Sequence, residues 1–319
     1  MFIFLCMIII LFITGGIIFV LRKKNNTYES IYNKGVDLHI KEKLEEAKKY
    51  FDQAINLDPT RFEAYYNLAL SYLTEKEWDK AEEYFLTVIE INKEDSDSFY
   101  NLGLIEYERK NFNKAIGYYE KALNLNNNDT DCLYNKGITY LALNDYNQAI
   151  TFLLEAIKLN DNPLYKMGIA NAYDKKSDKT ASPDDIKFAI EAYKEVILNE
   201  PENEEALFRL AVCYAKNGAW EDSVYYCERI IKINPSSADA YNQHGLAIYC
   251  KGDINEAIKL YSIALSLDKT NPIFYTNLAF AYEKVDEQEK AIEIFNKFLI
   301  KFPTDEKAKQ IKEHLITLR

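Results

Sequence analysis

Apolar residues recur every three or four places through the middle of the chain. Phe99, Leu102, Leu104 and Ile105 form one series, and Phe112, Ala115, Ile116, Tyr119, Ala122 and Leu123 form a second. That period predicts two amphipathic helices, with Asn111 marking a short polar turn between them. The pattern then returns. "YNLGLIEYERKNFNKAIGYYEKALNLN" begins at Tyr100, and closely similar segments begin 34 residues earlier at Tyr66 and 34 residues later at Tyr134.

Small residues extend the repeat to eight copies. They stand at Gly35, Ala69, Gly103, Gly137, Ala170, Ala211, Gly245 and Ala279. A second small residue follows twelve places on, at Ala47, Ala81, Ala115, Ala149, Ser223, Ala257 and Ala291; in the fifth copy, Ala189 follows after nineteen. Two helix backbones cross closely only where side chains are slight, so each pair marks a helix–turn–helix contact. Pro59, Pro201, Pro235 and Pro303, or an asparagine such as Asn126, close the second helix. Paired helices at this period predict stacked hairpins, none able to bury its apolar face alone.

These residues resemble the tetratricopeptide repeat family. The second copy carries Tyr65, Leu68-Ala69, Tyr72, Ala81, Phe85 and Val88, and the last carries Tyr275, Leu278-Ala279, Tyr282, Ala291, Phe295 and Pro303. Leu153 and Cys227 depart from the pattern where an aromatic is usual, and Phe298 where a small residue is usual. The resemblance implies an all-α fold: a right-handed α-solenoid of eight helix-turn-helix repeats. Their expected bounds are 28–61, 62–95, 96–129, 130–162, 163–203, 204–237, 238–271 and 272–305. Ala308, Ile311, Leu315 and Leu318 share one face of a capping helix within 306–319. An insertion, Lys175 to Asp185, is expected as a surface loop between the two helices of the fifth repeat, or as a hinge or modification site.

The head of the chain differs. Phe2 to Leu21 is twenty residues without a charge, followed by Arg22, Lys23 and Lys24. Length and flanks predict one transmembrane helix within an N-terminal anchor region, 1–27, with the repeats on the cytoplasmic side. A single-pass membrane protein is therefore the expected localisation.

Composition narrows the function. Acidic residues outnumber basic ones, 50 to 39, with a pI near 5.0, which argues against nucleic acid as a partner. The five cysteines form no C-x-x-C pair, and His39, His244 and His314 are scattered, so neither metal nor other cofactor is expected. No phosphate loop or nucleophile elbow occurs, and no enzyme activity is expected.

The family resemblance implies a scaffold that binds a peptide or partner protein in a concave groove. The alternative is a non-catalytic regulatory or assembly subunit of a membrane-associated enzyme complex. The expected groove residues are Tyr32, Asn33, Tyr66, Asn67, Leu70, Tyr100, Asn101, Leu104, Tyr134, Asn135 and Ile138. Val36 continues the aliphatic stripe, and Glu29, Glu63, Asp97 and Asp131 stand near its rim. The asparagine amides are expected to pair with an extended ligand backbone, the acidic rim to favour basic residues. The basic residues of a carboxylate clamp are missing from the corresponding places of the first three repeats, which hold Tyr32, Val36, Asn67, Asp97 and Asn101.

Overall fold

The computed structural model describes residues 27–318, and every regular element among them is helical. The chain forms two units, one ending at Asp145 and the other beginning at Tyr146. The first holds α1 (27–40), α2 (Leu44–Leu57), α3 (Phe62–Thr74), α4 (Trp78–Ile91), α5 (Ser96–Glu108), α6 (Phe112–Leu125) and α7 (Thr130–Ala142). The second holds α8 (Tyr146–Leu159), α9 (Pro163–Thr180), α10 (Pro183–Asn199), α11 (Glu204–Lys216), α12 (Trp220–Ile233), α13 (Ala238–Lys251), α14 (Ile254–Leu267), α15 (Pro272–Lys284), α16 (Gln288–Lys301) and α17 (Ala308–Thr317).

Within each unit consecutive helices pack as hairpins, and each hairpin packs on the next. Successive first helices also approach one another directly: α5 and α7, α11 and α13, α13 and α15. No pair of second helices comes equally close among the described residues, so the first helices form the inner row of each stack.

The close crossings fall where small residues predict them. A Cβ on Gly103 would lie 2.6 Å from Cδ1 of Tyr119, and one on Gly35 would lie 2.7 Å from Phe51 Cε1. Gly245 meets Tyr261 in the same way, at 2.8 Å. Glycine is required there by an aromatic ring from the second helix, not by backbone conformation.

The turns inside the hairpins share one conformation. Glu42, Lys76, Lys110, Asn144, Gly218, Gly252 and Asp286 all have positive φ and stand at the same place of their repeats. At each, the next amide reaches back across the turn, as Asn111 N does to the Glu106 carbonyl at 2.8 Å. This is the left-handed helix stop that glycine serves best. Lys110→Gly is therefore expected to stabilise the fold by about 0.5–1 kcal/mol, the left-handed strain less glycine's own entropy cost. A urea midpoint that falls would contradict it.

Two expectations require correction. Residues 175–185 are not a loop: α9 runs on to Thr180 and α10 starts at Pro183, leaving only Ala181 and Ser182 between them. The added turns are held by charge pairs. Lys176 meets Asp185 at 3.1 Å, and buried Asp174 takes Lys216 of α11 at 2.7 Å. Nor does the division between units fall here, since it lies in the turn of the fourth repeat. The second correction concerns the membrane. No helix among the described residues is long and apolar enough to cross one. Segment 2–21, the basis of the anchor and of the cytoplasmic placement, lies outside the described residues, so the single-pass assignment does not stand.

At the far end, α17 lays Ala308, Ile311 and Leu315 over Phe295 and Phe298 of α16. The bulk of Phe298, unusual at its place, fills the space beneath this cap.

Candidate functional site

The first helices of the first unit carry the Tyr-Asn pairs on their inner row. Each tyrosine ring packs on the second helix of its own hairpin: Tyr32 on Phe51 at 6.2 Å, Tyr66 on Phe85 at 5.7 Å, Tyr100 on Tyr119 at 6.1 Å. Each hydroxyl then reaches the next repeat. Asn67 Nδ2 donates to Tyr32 Oη at 2.9 Å, Asn101 Nδ2 to Tyr66 Oη at 3.3 Å, and Asn135 Nδ2 to Tyr100 Oη at 3.0 Å. The same three amides also donate one helical turn back, to the carbonyls of Glu63, Asp97 and Asp131.

An amide has two protons, and here both are engaged. The expectation that these asparagines donate to a ligand backbone is therefore corrected. Tyr32–Asn67, Tyr66–Asn101 and Tyr100–Asn135 are rungs joining successive repeats, with only the asparagine Oδ1 left to accept. Burial pushes the Tyr66 phenol up to about 12 and raises that of Tyr32, so both stay protonated at neutral pH.

One helical turn beyond each tyrosine stand Val36, Leu70, Leu104 and Ile138, one in each first helix and all half-buried. Tyr134 is half-buried and Asn33 exposed. The rim differs from the expected acidic edge. Arg61 takes Glu29 at 2.6 Å and Glu63 at 2.8 Å, and its guanidinium lies 4.1 Å from the Tyr28 ring centre. Arg61 occupies the place where Asp95 and Asp129 cap their helices. Its sequence signal was that exchange of a capping acid for a cation. Asp97 and Asp131 remain exposed.

The second unit has no such regular row. Its corresponding pairs are Met167-Gly168, Phe208-Arg209, Asn242-Gln243 and Thr276-Asn277. One rung recurs in altered chemistry, Asn277 Nδ2 donating to Asn242 Oδ1 at 2.9 Å.

No group of three or more histidine, cysteine or acidic side chains able to hold a metal occurs among the described residues. Burial raises the thiols of Cys132, Cys213 and Cys227, which keeps them protonated and unreactive.

Family models for tetratricopeptide repeats match residues 35–76, 62–95, 185–238, 245–286 and 275–305. The chain belongs to the tetratricopeptide repeat family. A model of subunit 3 of the anaphase-promoting complex also matches this repeat chain, over residues 83–156. Among curated relatives, the small glutamine-rich tetratricopeptide repeat-containing protein 2 of Mycosarcoma maydis is 24% identical over 116 residues, 36% of this chain and 33% of that protein. Heat shock protein STI1 of Saccharomyces cerevisiae is 30% identical over 103 residues, 32% of this chain and 18% of that protein. The matches thus span about a third or less of these relatives' lengths. Two solved structures share the fold. Pseudomonas aeruginosa pilF superposes with a TM-score of 0.57 at 18% identity, covering 68% of this chain and 96% of pilF. A chain of the APC/C hetero-tetramer Cut9-Hcn1 gives 0.54 at 14% identity, covering 90% of this chain and 55% of the other.

Proposed function

We propose that this tetratricopeptide repeat chain is a non-catalytic protein-interaction scaffold, and that the first-helix row of its first unit receives an extended segment of a partner protein. The observation that carries the reading is the ladder itself. Three equivalent rungs hold successive first helices in one register, so Val36, Leu70, Leu104 and Ile138 recur once per repeat one helical turn from them. A row fixed in this way is preorganised, which lowers the entropic cost of binding.

The chemistry of the segment follows from what is left uncommitted. Aliphatic residues take apolar side chains, and the asparagine Oδ1 atoms accept from backbone amides. Arg61 is shared by Glu29 and Glu63 and leaves one net negative charge there, so a preference for basic residues is weakened at that end of the row and is strongest near Asp97. A related protein of Arabidopsis thaliana, 26% identical over 102 residues and 18% of its own length, is an Hsp70-Hsp90 organizing protein by name, which supports an interaction role.

Lysine in place of Leu70 and Leu104 tests the reading. Its aliphatic stem covers the same surface while its ammonium interrupts the apolar row. The double variant is expected to bind the partner isolated with the wild-type chain about tenfold more weakly. Leu86→Lys, on the second helix α4, is expected to bind as the wild type does. Unchanged binding by the double variant, with loss in Leu86→Lys, would contradict it.

A further inference from the structure

Nearly identical repeats raise a question of order. The ladder is the same at the first three repeat interfaces, and so is the meeting of a small residue with a bulky side chain within each hairpin. Neither feature tells the second repeat from the third.

One pair of positions does differ. In the first two repeats the residue after the small residue of the second helix faces the end of the next first helix, 27 places on. At the first interface these are Lys48 and Glu75, 2.6 Å apart. At the second they are Glu82 and Arg109, also 2.6 Å apart. The same positions at the third interface hold Ile116 and Leu143. The sign of the pair is thus reversed from the first interface to the second, and at the third the charges are gone.

The surroundings keep these charges from being casual. Lys48 has only 9% of its side chain exposed and is also held by Glu45 at 2.5 Å. Arg109 is further held by Asp79 and by Glu106, itself only 3% exposed. Charges so placed are strongly unfavourable when unpaired.

We propose that this alternation is a stacking code that fixes the order of the first repeats. If α2 stacked on α5, skipping the second repeat, Lys48 would face Arg109. If α4 stacked on α3 of a second copy, Glu82 would face Glu75. Stacking either second helix on α7 would leave its charge against Leu143. Each wrong order therefore places like charges together or sets a charge against an apolar side chain, and only the native order gives all four an opposite partner on the neighbouring repeat.

The decisive variant keeps every native pair and destroys the code. Lys48→Glu with Glu75→Lys, and Glu45→Gln to remove a new repulsion, gives both interfaces the same polarity. The new carboxylate at the first interface then suits Arg109 as well as its own partner. Pulsed hydrogen exchange during refolding of the full chain reads the outcome. A severalfold larger population with α3 and α4 unprotected, or more dimer, is expected than for wild type. Lys48→Gln with Glu75→Gln removes the charges of the first interface yet matches neither of the others, and it should refold as cleanly as wild type because Arg109 and Leu143 still reject α2.

Salt supplies an independent reading on the wild-type chain, where no variant is needed. Screening at about 1 M salt should raise the skipped population severalfold over low salt. Clean refolding of the reversed-pair variant together with no effect of salt would overturn the proposal. Equal misfolding of the reversed-pair and neutral variants would overturn it too, because loss of a bond and not of order would then be the cause.

Discussion

Gly103→Leu is expected to destabilise the first unit by about 1–3 kcal/mol, the range for overpacking a filled core. The cause is specific. Even a Cβ at this position would lie 2.6 Å from Tyr119 Cδ1, and the Tyr119 ring is fully buried. That ring cannot retreat without disturbing Tyr100, packed on it at 6.1 Å, whose hydroxyl holds Asn135. The strain should therefore pass to the neighbouring repeats and weaken beyond them, as nearest-neighbour stacking requires. Hydrogen exchange should rise most in α5 and α6, next in α4 and α7, and least in α15 and α16. A uniform rise along the chain would contradict the scheme.

Alanine at Asn67, Asn101 and Asn135 together is expected to cost about 3 kcal/mol, roughly 1 kcal/mol for each rung. Each replacement removes a bond between repeats and one within the helix, and leaves a tyrosine hydroxyl without its donor. Asn101 carries the clearest single effect because it is itself buried. A double-mutant cycle of Tyr66→Phe with Asn101→Ala isolates one rung. A coupling of about 0.5–1.5 kcal/mol is expected there. A triple variant that melts with the wild type would show that the rungs contribute nothing to stacking.

Much of the fold was legible in the chain because small residues and apolar periods are local signals. Gly35, Gly103 and Gly245 mark close crossings without any knowledge of the partner ring. The role of the asparagines was not legible. Their partners lie 35 residues away, and only the packing of each tyrosine ring aims its hydroxyl at the next repeat. An amide that looks available in one dimension is engaged in three.

Other misses have similarly physical causes. The stop after each first helix was hidden because Glu42, Lys76, Lys110, Asn144 and Asp286 take a conformation that glycine would have announced. The stretch 175–185 reads as a loop by composition, yet Pro183 opens a helix as readily as it ends one. Lys176 and Asp185 pair across the added turns. Arg61 was passed over because it occupies a capping place without capping.

The central claim is that the first-helix row of the first unit is the surface that meets a partner. It is tested most directly by placing a photoreactive side chain, one at a time, at Val36, Leu70, Leu104 and Ile138 on that row, and at Leu86 and Lys121 on second helices. Crosslinking in the protein's own cells, followed by mapping of the captured peptides, is expected to join the four row positions to one continuous segment of one partner, in sequence order. Capture from Leu86 and Lys121 alone, with none from the row, would contradict it.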